Sequence, residues 1–394
     1  MNQNKSMNWK KSWEYLPLDF CSVPFTVEDE QQTILIPNNI CGNAVRIKLS
    51  NKCGTQPLAF EAVSLGGAQP LAFEPISLEC ARPLFFTFSK ERAVTLQPGE
   101  ERFSDELACP ISCERELSIT TYVKNRTRID CACIFCTPLA AKVECYKAST
   151  GEVVDMHRSM TANDERCIVC YGLACVEILS AGKVKTIAAF GDSITHMSFW
   201  TAPLQQRLCK EYAGKASVIN FGIGGNRILR GTPQSARVGN LFGDAAIKRF
   251  ETDVFTDAKI DDVILLEGVN DLWHPAEFGL EDEIPTAAQM IDGLKQLVDI
   301  AHLNDAKVLG GTILPFMGAE NMTSAMDEKR EIVNEWIRNS GSFDEVIDFD
   351  AVVQDKNRPS HLREDCDSGD HLHPNEKGGM MIASAINLQY FLET

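Results

Sequence analysis

From about residue 30 to residue 175 the apolar positions recur every second residue in short runs. Ala44–Asn51 alternates strictly, with Val45, Ile47 and Leu49 on one face and Arg46, Lys48 and Ser50 on the other. Glu116–Val123 repeats the pattern. Such alternation marks strands with one buried face. No long helical period interrupts it, so residues 1–180 predict an antiparallel, jelly-roll-like β-sandwich domain. An aromatic lead (Trp9, Trp13, Tyr15, Phe20) predicts packing onto a later part of the chain. Gln56–Leu65 and Gln69–Leu78 are near copies. Two copies are too few for a solenoid and predict a lengthened loop or hairpin.

From about residue 183 the period changes. Strand-like runs at Val184–Phe190, Ser217–Phe221, Val263–Glu267, Val308–Leu314 and Val346–Phe349 alternate with helical patterns at Ala245–Phe255, Ala287–His302 and Asp327–Asn339. Met290, Leu294, Leu297 and Ala301 form one apolar stripe. A last helix is expected from about Asn375 to Leu392, with Pro374 near its first turn. Five βα units predict an α/β domain over residues 181–394, a doubly wound parallel sheet with helices on both faces. Ligands bind such sheets beyond the carboxyl ends of the strands.

A chain of 394 residues with 44% apolar and 24% charged residues suits a globular protein of two domains. The net charge of −17 argues against nucleic acid or an anionic membrane as partner, because both select clustered Lys and Arg. The first eleven residues carry no apolar core of a signal peptide, and no apolar run approaches membrane-spanning length, so a cytoplasmic protein is expected. Thirteen of the fifteen cysteines precede residue 180, irregularly spaced. Cys131/Cys133/Cys136 and Cys167/Cys170/Cys175 have no second CxxC pair at finger or ribbon spacing and no nearby histidine ligands. They read as reduced, small buried hydrophobes.

The chemistry concentrates at the predicted strand ends. Gly191-Asp-Ser193 follows the first, which sets the Ser193 hydroxyl where a strand gives way to a helix. Asn220–Asn226 follows the second, its glycines free to turn amides into a site. Glu267-Gly-Val-Asn-Asp271 follows the third, and the Asn270 carboxamide can donate to an oxyanion where a carboxylate cannot. Asp370-His-Leu-His-Pro374 precedes the last helix. A carboxylate three residues before an imidazole can reach its Nδ1–H and leave Nε2 as a base. The order Ser…Asp…His is that of the α/β-hydrolases, but Thr195 stands where the nucleophile elbow needs its second glycine. Asp192 reads as a structural hydrogen-bonder and His371 as a lesser candidate base. His157, His274, His302 and His361 have no catalytic motif around them.

Together Gly191-Asp-Ser193, Gly225, Gly268-x-Asn-Asp271 and Asp370-x-x-His373 resemble the four blocks of the SGNH (GDSL) hydrolases. The runs Gly311–Phe316, Asn334–Arg338, Asp367–Pro374 and Arg46–Leu58 resemble a rumen arylesterase/acylhydrolase-like subfamily encoded among xylanases. The resemblance implies a flavodoxin-like three-layer domain and ester hydrolysis without metal or cofactor. In it Ser193 is the nucleophile, His373 the base and Asp370 its partner. The Ser193 and Gly225 amides and the Asn270 side chain form the oxyanion hole. His196 stands where many relatives carry an acid, and His196, Arg227 and Trp273 are candidates for the substrate groove.

The expected activity is a serine esterase that removes a short acyl group, acetyl foremost, from a carbohydrate or oligosaccharide ester. The alternatives are a lysophospholipase or thioesterase on the same fold, or an inactive carbohydrate-binding protein. The expected partner is a small-molecule or oligosaccharide ester, not nucleic acid or membrane; a homo-oligomer is compatible with the sequence.

Overall fold

The computed structural model describes residues 7–66, 83–113, 115–155 and 167–392. The second near-copy (Gln69–Leu78) and His157 lie outside them. Two compact units emerge, Met1–Val184 with Glu211–Lys215, and Lys185–Lys210 with Ala216–Thr394.

The first unit is built of antiparallel sheets, as a β-sandwich domain requires. One sheet pairs strand Gly42–Ser50 with Leu173–Ser180, which in turn pairs with Asn8–Glu14. The other runs through Lys142–Lys147, Glu30–Ile36, Leu117–Val123 and Ala62–Leu65. The Val45, Ile47 and Leu49 face is fully buried, as are Ile34, Ile119 and Val63 of the second sheet. The opposite face of Gly42–Ser50 is covered too: Lys48 and Ser50 are buried. Cross-strand ion pairs account for it, Lys48 to Glu14 at 3.1 Å and Arg46 to Glu177 at 2.6 Å. The aromatic lead packs inward, Trp13 on Tyr15 with centroids 5.1 Å apart and Tyr15 on Phe135 at 5.4 Å. The described cysteines are free thiols, most of them buried. Among the described residues no cluster of metal-ligating side chains forms, and no helix is long and apolar enough to cross a membrane.

The second unit has the SGNH hydrolase fold. Its strands, numbered within the unit, are β1 (Lys185–Gly191), β2 (Ala216–Gly222), β3 (Asp262–Leu266), β4 (Lys307–Gly311) and β5 (Glu345–Ile347), in the parallel order β2-β1-β3-β4-β5. Its helices are α1 (Ser193–His196), α2 (Thr201–Glu211), α3 (Ala246–Phe255), α4 (Val269–Glu277), α5 (Ala287–Leu303), α6 (Ser324–Asn339), α7 (Phe349–Val353) and α8 (Glu376–Ala385).

Three expected boundaries move, each because a polar side chain takes over a backbone group. β4 stops at Gly311, not Leu314, because Asn334 of α6 grips both backbone groups of Ile313 as a neighbouring strand would. Phe349 opens α7 instead of closing β5, since Asp348 caps the Ala351 amide. The last helix ends at Ala385, where Asn387 caps a separate 3₁₀ turn, Leu388–Phe391.

Candidate active site

The strands β1, β2 and β3 each lead into a candidate piece of the site, and the fourth piece precedes α8. At Gly191 the backbones of β1 and β3 come so close that a Cβ would lie 2.0 Å from the Leu266 carbonyl oxygen. The chain then turns. Asp192, buried, caps α1 by accepting the Ile194 N–H at 2.9 Å, which leaves Ser193 as the first helical residue, half-buried. Ser193 Oγ is 2.8 Å from His373 Nε2, and His373 Nδ1 is 2.6 Å from Asp370 Oδ2. The other oxygen of Asp370 accepts the N–H groups of His373 (2.9 Å) and Leu372 (3.0 Å), so the carboxylate and the ring it serves belong to one turn. Burial works to raise the Asp370 pKa, but the His373 bond and charge and these two amides outweigh it and hold the carboxyl well below its usual range. It stays ionised, and through its bond to Nδ1 it orients the ring with Nε2 toward Ser193.

The candidate donors follow β1, β2 and β3. Gly225 sits at φ +76° with Phe242 and His274 packed where a side chain would be, 2.5 and 2.9 Å from an added Cβ. Only glycine fits on both counts. The N–H groups of Ser193 and Gly225 make no hydrogen bond among the described residues. Asn270, buried at the start of α4, donates one Nδ2 hydrogen to the Asn226 carbonyl at 3.0 Å and keeps the other. Free N–H groups of this kind can hold negative charge on an oxygen.

Behind them is a buried polar frame. Asn226 donates to the Phe242 and Asp244 carbonyls, both at 2.8 Å, and accepts Arg249 Nε at 2.8 Å. The Arg249 guanidinium also reaches the Gly191 carbonyl (3.1 Å) and the Phe221 carbonyl (3.0 Å), 4.0 Å over the Phe190 ring. One cation thus ties the ends of β1 and β2 together. Asp271 accepts the amides of Ile228 (2.7 Å) and Leu229 (3.1 Å), which fixes the glycine-rich turn to α4. Burial pushes the Asp271 carboxyl up to about 6 and the Asp192 carboxyl up to about 7, and moves Glu267 well above its ordinary value.

The sequence motifs pointed to Asp271 but carried no sign of Asn226 or Arg249 as a frame. Asn226 could have been read from its place in the Gly-rich turn; Arg249, on an amphipathic helix, leaves no local trace.

The three groove candidates are placed differently. His196 is buried, and its Nδ1 accepts the Gly224 amide at 3.0 Å, beside Ser193. Arg227 is turned inward, 4% exposed, bound to Glu283 at 3.0 Å and to the Gly231 carbonyl. It braces the loop. Trp273 is half-buried and donates to the Glu320 carbonyl at 3.1 Å. His274 is buried against Phe242, and burial lowers its pKa to about 3, so the ring stays neutral. His371, the lesser base, pairs with Asp367 and not with Ser193.

A parallel sheet carrying these blocks at its strand ends defines a hydrolase domain of the carboxylic ester class. Residues 189–379 match the family model described as "GDSL-like Lipase/Acylhydrolase family". The comparison with curated proteins gave no match. Among solved structures, the chain is similar to Axe2, an acetylxylan esterase from Geobacillus stearothermophilus, at 20% identity over 51% of this chain and 91% of that one, TM-score 0.39. It is also similar to the acetyl xylan esterase AlAXEase, at 21% identity over 51% of this chain and 96% of that one, TM-score 0.38.

Proposed function

We propose that this protein is a serine esterase that removes a short acyl group, acetyl foremost, from a hydroxylated, carbohydrate-type alcohol. The observation that carries the reading is the unbroken chain Asp370–His373–Ser193, at 2.6 and 2.8 Å; the Ser193 and Gly225 amides, without acceptors among the described residues, and the Asn270 carboxamide support it.

The steps follow. Ser193 Oγ attacks the ester carbonyl as His373 Nε2 takes its proton. The oxyanion of the tetrahedral intermediate accepts from the Ser193 and Gly225 amides and Asn270 Nδ2. Collapse breaks the C–O bond to the alcohol, which leaves with the proton from His373, and Ser193 keeps the acyl group. Water, deprotonated by the same imidazole, then attacks the acyl-enzyme and frees the acid and the serine. Asp370 stays ionised and stabilises the imidazolium formed at each step.

Gly224 lies close to the nucleophile: a Cβ there would be 4.0 Å from Ser193 Cβ and 3.4 Å from His196 Nδ1. In this reading residues 1–180 are a separate β-sandwich domain beside the hydrolase of residues 181–394. The substrate is a small or oligomeric sugar ester, with neither nucleic acid nor membrane as partner, and the free thiols suit the cytoplasm.

The test is p-nitrophenyl ester hydrolysis by wild type and Ser193→Ala, from acetate to decanoate. Wild type should favour acetate, and Ser193→Ala should lower kcat/KM by a factor on the order of 10⁴. Equal rates in both proteins refute Ser193 as nucleophile. A preference for decanoate refutes the short acyl group.

A further inference from the structure

Two residues before His373 the chain carries a second imidazole–carboxylate pair built on the same plan. Asp367 Oδ2 holds His371 Nδ1 at 2.5 Å, while its Oδ1 accepts the N–H of His371 at 3.0 Å and of Gly369 at 2.8 Å. The proposed ester chemistry does not use this pair. Yet the His371 ring is 55% exposed, and its Nε2 has no partner among the described residues. Its backbone sits at φ +62°, a conformation that costs a non-glycine residue and persists only where the surroundings impose it. The ring is seated on Gly318, where a Cβ would lie 3.2 Å from His371 Cγ. Gly318 is itself at φ +105°.

The position has a chemical meaning. Gly318 follows β4, whereas Gly225 follows β2, and the sheet order sets β1 and β3 between them. His371 therefore stands on the flank of the site away from the Gly225 amide. The leaving alkoxide must collect its proton from His373 Nε2, so the alcohol lies beside that ring and not among the oxyanion donors. A polyol there brings further hydroxyls next to the ester. An imidazole whose Nδ1 proton is committed to a carboxylate offers Nε2 as an acceptor.

We propose that His371 is a specificity residue that recognises hydroxylated alcohols of the sugar class, its Nε2 accepting a hydrogen bond from a hydroxyl neighbouring the scissile ester. The inference rests on the esterase reading above. Asp367 orients the ring, and Gly318 leaves room for it. No bond is made or broken at His371.

The experiment compares kcat/KM on two acetate esters, phenyl acetate and the mixed mono-acetates of methyl β-D-xyloside. Both give the same acyl-enzyme, so their ratio reports the alcohol alone. His371→Asn retains a donor for Asp367 and tolerates positive φ, and it removes the outer edge of the ring. His371→Gly, suited to this φ, is the second variant should the first misfold. The expected result is a fall of about tenfold in the ratio of sugar ester to phenyl acetate, the size of one lost hydrogen bond. A structural brace would lower both rates together, and an unmoved ratio overturns the proposal. A wild type that cleaves phenyl acetate alone also overturns it and leaves the esterase reading standing. A wild type that cleaves neither ester overturns both.

Discussion

Asn270 and Asp192 show how two buried polar residues next to one serine are set for different tasks. Asn270 spends one Nδ2 hydrogen on the Asn226 carbonyl, which aims the other. Asn270→Ala should lower kcat for acetate esters by about 10²–10³, the cost of losing one oxyanion donor. The comparison with wild type by steady-state kinetics checks it, alongside the melting temperature. Asp192 works through its protonation. Burial first, then nearby Asp271, raises its pKa to about 7, against the opposing pull of the Ile194 N–H, His373 and Arg249. An unfolded carboxyl ionises near 3.9, so between about pH 4 and 7 the unfolded chain gives up a proton that the folded one keeps. The folded state therefore binds more protons, and this residue's contribution to stability declines as pH rises through that window and levels off above it. Asp192→Asn keeps a cap for α1 and has no such proton. Urea midpoints from pH 4.5 to 8 should show the variant gaining on wild type as pH rises, and a constant difference would refute the shifted carboxyl.

Arg249 connects elements, and its removal should be felt in the sheet. It donates to Gly191 at the end of β1, Phe221 near the end of β2 and Asn226 in the turn that follows, and it lies near Asp253, Glu267 and Asp192. Arg249→Met should cost about 3–5 kcal/mol in denaturant unfolding, because the Gly191 and Phe221 carbonyls, the Asn226 side chain and Asp253 lose their charged donor. Most strands and helices were legible in the sequence because periodicity records burial: Val45, Ile47 and Leu49 alternate, and the stripe through Met290, Leu294, Leu297 and Ala301 is buried. The motifs around Ser193 and Asp370-x-x-His373 likewise marked side chains that the structure brings into contact. What the sequence did not reveal was side chains standing in for backbone. Asn334 pairing with Ile313, and Arg249 gathering two strand ends, are contacts between distant positions with no period to betray them. Arg227 misled for the same reason: nothing local shows that Glu283 holds it inside.

Taken whole, the molecule carries a net charge of −17. It should bind an anion exchanger tightly at pH 7 and leave the mobility of DNA unchanged at low salt. A retarded DNA band would contradict the exclusion drawn from composition. The 180 residues that separate Ser193 from His373 have a further consequence. A chain interrupted before Asp370 keeps the serine, the glycine-rich turn and Asn270 in its sequence and lacks the base proposed to take the serine's proton. On the esterase reading, shortened products of synthesis or proteolysis would lack the base, and hydrolysis would depend on the segment that precedes α8.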